Sequence, residues 1–492
     1  MKLCVIGAGL AGVAAAKVMK EDGFDVTVFD KYDQVGGIWS PQGFYDGLRN
    51  QSPDRLYEFS DLPNPRYMPR AAGVQEYLQQ YAKKFGVLEF IHPDTEVVSV
   101  RPVATDGMPG SNGWDVHVRS AATGPAGRTE TFDYVVVASG AHHVPYLPDI
   151  PGRERFTGEV THCKDLRDEQ ITGQRVTVVG GGKSALEVAT RAASNGSTVT
   201  LVQRHANWMF PERLLFGTVR SKWLLFSRLS EALLPTYHDP AYVRRIDRIP
   251  ASIKKTAWRL IMRDTLATSG LSKLALHQPT TPLPHGLVRF GSIPRGYVRH
   301  VRQGNIRVLI DAVDSYTKHG LRLTSGAEAP ADIIVFATGQ QRKFPFLEPA
   351  IRVNDQTGHL RLYKGIVPPE TKRLGLIGFR HLFQFPLGME LCSHWLSSYF
   401  LQTLRHAPKH EEMVKEVENR LVWQDRVFPG SGGYEFGPYT LHSADELLDD
   451  MGLPTRRASN FLADLLLPVN AEHYAGLAAE RRGRVHASSK SS

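Results

Sequence analysis

The chain has 492 residues, 42% of them apolar and 22% charged, with a formal charge of +9. That length predicts about three units of ~150 residues, and the composition excludes collagenous, disordered and membrane-spanning classes. The basic excess carries no nucleic-acid module and reads as solvated surface with an attraction for polyanionic cofactors; three scattered cysteines (Cys4, Cys163, Cys392) with no C-x-x-C argue against a disulfide framework or redox dithiol and fit a cytoplasmic protein.

Residues 3–6 are an apolar run long enough for one buried parallel strand. It stops at Gly7, Gly9 and Gly12, spaced G-x-G-x-x-G; an alanine-rich helix to about residue 20 follows, then a strand over 25–29 closed by Asp30. Dinucleotide binding needs this order of strand, glycine turn, helix, strand and acid. Gly7 permits the tight turn, Gly9 lets the backbone approach a pyrophosphate at the helix N-terminus, and Gly12 allows close helix–strand packing. Asp30 can accept hydrogen bonds from a ribose diol. Lys2, the apolar run and the alanines at 14–16 also imitate a signal peptide, but cleavage would discard the glycines and leave Asp30 without a purpose.

A second glycine loop at Gly36 and Gly37 leads through Ile38 and Trp39 into an irregular stretch to residue 68, and an amphipathic helix is predicted over 74–85. Strands are predicted over 95–101, 114–119 and 132–138, with hairpin turns at 109–113 and 123–125. A proline-rich linker over 145–152 marks a domain boundary, after which the opening pattern recurs: strand 175–179, turn Gly180-x-Gly182-x-x-Ala185, helix 186–194, strand 198–202. Gly182-Lys183-Ser184 resembles the end of a P-loop, but that motif needs glycine at 177, which is Thr177. The second unit ends in Gln203-Arg204-His205 with no acid. A carboxylate suits a free 2′-hydroxyl and a guanidinium suits a 2′-phosphate. The first site should therefore hold an ADP-ribosyl group without that phosphate, the second NADPH, with electrons passing between them.

Residues 208–294 read as a helical insert. Its apolar segment 223–234 suits a helix packed on the core; peripheral membrane contact is compatible with that segment but not indicated by it. Short strands follow over 304–331, a buried strand over 332–336 running into Thr338 and Gly339, a strand over 373–377, helices over 388–404 and 411–424, and a disordered tail over 481–492.

With these motifs in order, the chain resembles the flavin-containing monooxygenases, class B flavoprotein monooxygenases whose relatives include Baeyer–Villiger and N-hydroxylating enzymes. The resemblance rests on both glycine fingerprints, Gly36-Gly-Ile-Trp39, Leu48-Arg49, Phe59-Ser-Asp-Leu-Pro63, Phe336-Ala-Thr-Gly339 and Pro386-Leu-Gly-Met-Glu390 before Trp395. Most diagnostic is the signature F-x-G-x-x-x-H at Phe156, Gly158 and His162. Its last position is Leu166, where flavin-containing monooxygenases have Tyr or Phe and Baeyer–Villiger enzymes Trp, so the subclass stays open.

The resemblance implies an α/β fold with two Rossmann-type domains in a three-layer β-β-α/β-α architecture. An FAD domain would cover 1–153 and 326–480, with an NADPH domain inserted over 154–325. FAD would be held by Gly7, Gly9, Gly12, Asp30, Lys31, Gly37, Ile38, Trp39 and Arg49, with Thr338 and Gly339 at the return to that domain. NADPH would be held by Gly180, Gly182, Lys183, Ser184, Ala185 and Arg204. His162 would act through interdomain hydrogen bonding. Where the family carries Thr-Asn after Leu-Arg, this chain has Asn50 and Gln51; either amide could hydrogen-bond the flavin peroxide, and Gln51, in the register of the family's Asn, is the favoured one.

The implied reaction reduces FAD with NADPH, adds O2 at the flavin C4a carbon, and passes one oxygen atom from that (hydro)peroxide to a small organic substrate at N, S or C. It needs no side-chain nucleophile and no metal. A Baeyer–Villiger reaction on a ketone is the main alternative; a flavin reductase and a non-catalytic nucleotide-binding protein are further ones. Substrate-pocket residues are expected from 208–294 and 383–394, and the oligomeric state is left open.

Overall fold

The computed structural model describes residues 1–491 except 53, 54, 65, 67, 105, 106, 142, 236, 238–249, 275–277, 280–290, 350, 381–384 and 430–439. In chain order, the first unit runs β1 (Lys2–Ile6), α1 (Leu10–Glu21), β2 (Asp25–Phe29), α2 (Ala71–Lys84), β3 (Ile91–His92), β4 (Thr95–Pro102), β5 (Trp114–Ser120), β6 (Arg128–Phe132) and β7 (Tyr134–Val137). A linker strand β8 (Val144–Pro145) leads to β9 (Glu159–His162), β10 (Arg175–Val179), α3 (Lys183–Ser194) and β11 (Thr198–Gln203). Then come α4 (Ala251–Ser269), β12 (Ile306–Ile310), β13 (Val313–Thr317), β14 (Gly320–Leu323), β15 (Glu328–Pro330), β16 (Ile333–Phe336) and the return strand β17 (Gln340–Gln341). The chain closes with β18 (Leu374–Leu376), α5 (Phe385–Phe400), α6 (His410–Val427), α7 (Thr440–Asp450) and α8 (Leu477–Ser491).

Two five-stranded parallel sheets result, in the orders β18-β7-β1-β2-β3 and β12-β11-β10-β16-β9. The two-residue alternation of strands builds three layers in each unit. In β1, Leu3 and Val5 face the helices α1, α2 and α5, while Cys4 and Ile6 face the antiparallel meander β4-β5-β6 around Trp114 and Phe132. In the second unit Val176 and Val178 pack on α3, whereas Val202, Ile334 and Phe336 pack on the meander β13-β14-β15 through Tyr316 and Leu321. Each fully buried aliphatic side chain contributes about 1.5–3 kcal/mol, so both strand faces must stay apolar. Helices on one face and a second sheet on the other are the expected three layers.

Four expectations change. The strand predicted over 132–138 splits at Asp133: β6 pairs antiparallel with β5, and β7 pairs parallel with β1. Asp133 turns this corner by accepting from the Lys2 amide at 2.7 Å and donating its own amide to the Lys2 carbonyl at 2.9 Å. The expected boundary at 325 falls inside the second unit, because β16 pairs with β10 and β9. Residues 223–234 form two short helices, Lys222–Leu225 and Arg228–Glu231, broken at Ser227, whose hydroxyl caps the second; Trp223, Leu224 and Leu229 are exposed. The predicted tail is instead α8, anchored by an Arg481–Asp22 ion pair and by Arg481 Nη1 donating to the His394 carbonyl at 2.6 Å. Among the described residues no helix is long and apolar enough to cross a membrane.

Candidate functional site

The first cradle sits where β1 meets α1. Gly7 has φ +107°, and a Cβ there would come within 2.6 Å of the Ala138 carbonyl oxygen; a Cβ on Gly12 would come within 1.8 Å of the Gly7 oxygen. The Gly36–Gly37 loop backs directly onto this turn, since a Cβ on Gly37 would lie 3.0 Å from the Gly9 Cα. Asp30 is buried beneath it, accepting from the Ala8 amide and, at 2.7 Å, from the Tyr32 amide. Burial pushes this carboxyl above its usual range while the two amides pull it back. A carboxylate has about four lone-pair sites, so acceptor capacity remains for a ribose diol. Trp39 donates Nε1 to the Tyr57 hydroxyl at 2.8 Å, edge-on to its ring, which fixes the loop; Lys31, Ile38 and Arg49 are exposed around it.

The second cradle repeats the plan between β10 and α3. Gly180 has φ +146°, and a Cβ would sit 2.3 Å from the Ala337 oxygen, whereas a Cβ on Gly182 meets nothing within 4 Å. Ala185 is buried against the turn. Arg204 is exposed directly after β11 and has no ion-pair partner among the described residues. Asn207, which the motifs did not single out, donates Nδ2 to the Gly181 carbonyl at 2.8 Å and fixes the loop.

In both cradles glycine caps the helix, with no side-chain cap and no acid in the first turn. Uncapped amides and the helix dipole favour an anion at such an N-terminus, and the space beside Gly182 is open. Lys183 and Ser184 turn away from that space. Lys183 Nζ donates to the Arg49 carbonyl at 2.9 Å and pairs with Glu187 at 2.7 Å, and Ser184 Oγ lies 3.3 Å from the Tyr45 hydroxyl.

Between the cradles, β8 and β17 form an antiparallel two-stranded ribbon carrying both crossings of the chain. The Gly339 carbonyl beside it accepts from the Tyr146 amide at 3.0 Å and from His162 Nε2 at 3.1 Å. His162 Nδ1 accepts from the Lys164 amide at 3.2 Å, and burial lowers the imidazole pKa, so the ring is neutral with its proton on Nε2. Thr338 donates to the Tyr146 carbonyl and belongs to the same junction. His162 thus acts on the strand crossings.

The structure separates the two candidate amides. Gln51 Oε1 accepts from the Ser292 amide at 3.3 Å, so its oxygen is engaged by the insert. Asn50 is buried with Oδ1 accepting from the Ser52 amide at 2.6 Å, and its Nδ2 has no partner among the described residues. An unpaired buried donor is costly, and it suits a flavin that would accept from it. No group of three or more potential metal ligands occurs among the described residues. Part of the expected substrate pocket (238–249, 275–277, 280–290 and 381–384) lies outside the described residues.

The flavin-binding monooxygenase-like family model matches residues 1–245 and 303–449. The probable flavin-containing monooxygenase 1 of Arabidopsis thaliana is 26% identical over 519 residues, covering 96% of each chain. Among solved structures, S-allyl-L-cysteine S-oxygenase from Allium sativum has a TM-score of 0.63 at 19% identity, covering 98% of this chain and 93% of that one. NADP+-bound cyclohexanone monooxygenase from Rhodococcus sp. Phi1 has a TM-score of 0.64 at 18% identity, covering 100% and 97%.

Proposed function

The chain belongs to the flavin-binding monooxygenase-like family, an enzyme that uses FAD and NADPH to put one atom of O2 into a small molecule, and on that premise we propose that it oxygenates nitrogen or sulfur centres. The observation that carries the cofactor assignment is the contrast between the cradles: buried Asp30 at the first, exposed Arg204 at the second. Bound FAD supplies the carrier that takes hydride from NADPH and activates oxygen.

The chain's own residues do the rest. Gly7, Gly9 and Gly12 let the first backbone approach a pyrophosphate, and Asp30 accepts from the ribose hydroxyls. Gly180, Gly182 and Arg204 receive the phosphorylated dinucleotide. Asn50 Nδ2, buried and without a partner among the described residues, would be the donor to the flavin, and Gln51 ties that loop to the insert. His162 holds the Gly339 carbonyl and with it the ribbon between the units. No side chain is asked to act as nucleophile.

A Baeyer–Villiger reading is kept because Leu166, buried in the second core, matches neither subclass at the signature's last position. The test is purification with FAD, followed by NADPH- and O2-dependent turnover of a tertiary amine, a thioether and a cyclic ketone. N-oxide or sulfoxide formation is expected; lactone from the ketone with neither of those products would reverse the assignment. A colourless protein unable to take up FAD would refute it.

A further inference from the structure

Residues 44–51 belong to the first unit, where the Asn50 amide donates to the Pro69 carbonyl at 3.0 Å and the Leu48 carbonyl accepts from the Ala71 amide at 3.0 Å, and the second unit holds them as well. Arg167 Nη1 donates to the Phe44 carbonyl at 3.3 Å, and the Asp168 amide donates to Asp46 Oδ2 at 3.1 Å. Gly47 lies against the Arg191 guanidinium, where a Cβ would meet Nη1 at 2.6 Å. The Tyr45 hydroxyl donates to Glu187 Oε2 at 2.5 Å and Lys183 bridges Glu187 Oε1 at 2.7 Å to the Arg49 carbonyl at 2.9 Å. Tyr45 and Glu187 are both buried.

This trio has a cost that needs a reason. A buried carboxylate close to the N-terminus of α3 opposes the polyanion that the uncapped amides there attract. Lys183 neutralises it on one side and Tyr45 donates to it on the other. Burial and the Glu187 charge push the Tyr45 phenol well above its ordinary pKa, so it stays a donor. The bonds run to loop atoms immediately before Asn50.

We infer that Tyr45, Lys183 and Glu187 are positioning residues, a latch that ties loop 44–51 to the NADPH-side helix as well as to its own unit and so sets where the Asn50 amide stands. The inference rests on the monooxygenase reading.

The test uses FAD-loaded full-length enzyme with Tyr45→Phe and Glu187→Gln. Amide hydrogen exchange over 44–51 should accelerate at least tenfold, with residues 7–12 unchanged and FAD content equal to the parent. Hydrogen peroxide released per NADPH consumed should rise at least threefold in both, and in Tyr45→Phe, which leaves the charges in place, the apparent NADPH Kd should stay within about twofold. A purely structural role would lower the melting temperature and leave this ratio alone.

Parent-like exchange and peroxide yield in both variants would overturn the latch. If Glu187→Gln does not fold, Tyr45→Phe keeps the buried ring and decides the matter alone. A parent protein that binds no FAD, or is not reduced by NADPH, fails the functional reading instead, and the exchange readout still judges the latch.

Discussion

Two glycines in one turn should fail in opposite ways when replaced by alanine. At Gly180 the backbone has φ +146° and the new methyl would stand 2.3 Å from the Ala337 oxygen and 2.9 Å from its carbonyl carbon. The end of β10 or of β16 must move, combining backbone strain of ~1–3 kcal/mol with overpacking of a similar size. Gly180→Ala should therefore destabilise by roughly 2–5 kcal/mol, a melting drop of about 5–15 °C for a unit of this size.

At Gly182 the backbone is φ −87°, ψ −179°, ordinary for alanine, and the methyl meets nothing within 4 Å. A less flexible unfolded chain contributes ~0.4–1 kcal/mol of stability, offset by a poorer N-cap worth several tenths, so melting should hold to within ~1 kcal/mol. The methyl would, however, occupy the space the pyrophosphate needs. Anaerobic NADPH titration should show a loss of ~30-fold or more, about 2 kcal/mol, with FAD content unchanged. Parent-like NADPH affinity in Gly182→Ala would refute the placement of the dinucleotide. An unchanged melting point in Gly180→Ala would refute the close approach.

Arg204→Ala should weaken NADPH by ~10- to 150-fold, the worth of ~1.5–3 kcal/mol of charge-assisted bonding, while NADH changes little; equal losses in parallel titrations would remove its role. Arg481→Ala should cost about 2–4 kcal/mol in urea unfolding, because Asp22 is left buried with Ser397 and the more distant Arg482 as its side-chain partners among the described residues. No change would mean that α8 is not docked. Burial and the neighbouring Asp61 push the Glu390 carboxyl up to about 7. It keeps its proton in the folded state where the unfolded chain has lost it, so this contribution falls as pH rises from about 4.5 to 7 and is flat above. The span is worth at most about 3 kcal/mol. Relative to Glu390→Gln, the parent should lose stability across that window in denaturant melts at stepped pH; a gap independent of pH would contradict it.

Both nucleotide units were legible locally, because each lies within one short stretch of chain. The strand bounds 25–29 and 175–179, the glycine turns and the Asp30–Arg204 contrast follow from steric and charge requirements of consecutive residues. The alternation that makes each parallel sheet two-faced is also written in β1 and β10. Choices between partners distant in sequence were not. Asp133 looks like the interior of one strand until Lys2 pairs with it, and β16 reads equally well in either sheet until β10 takes it. The end of the chain is polar and looks unfolded, since Asp22 and the His394 carbonyl, which hold Arg481, lie far away in sequence. Asn50 and Gln51 are adjacent amides of like chemistry, each with its oxygen accepting from a backbone amide, and only the burial of Asn50 tells them apart. Local sequence determined where dinucleotides can lie, because glycine conformation and charge are properties of neighbouring residues. Tertiary structure decided which of the two amides is buried and what their loop is bonded to, because burial and hydrogen-bond partnership depend on residues that only folding brings together.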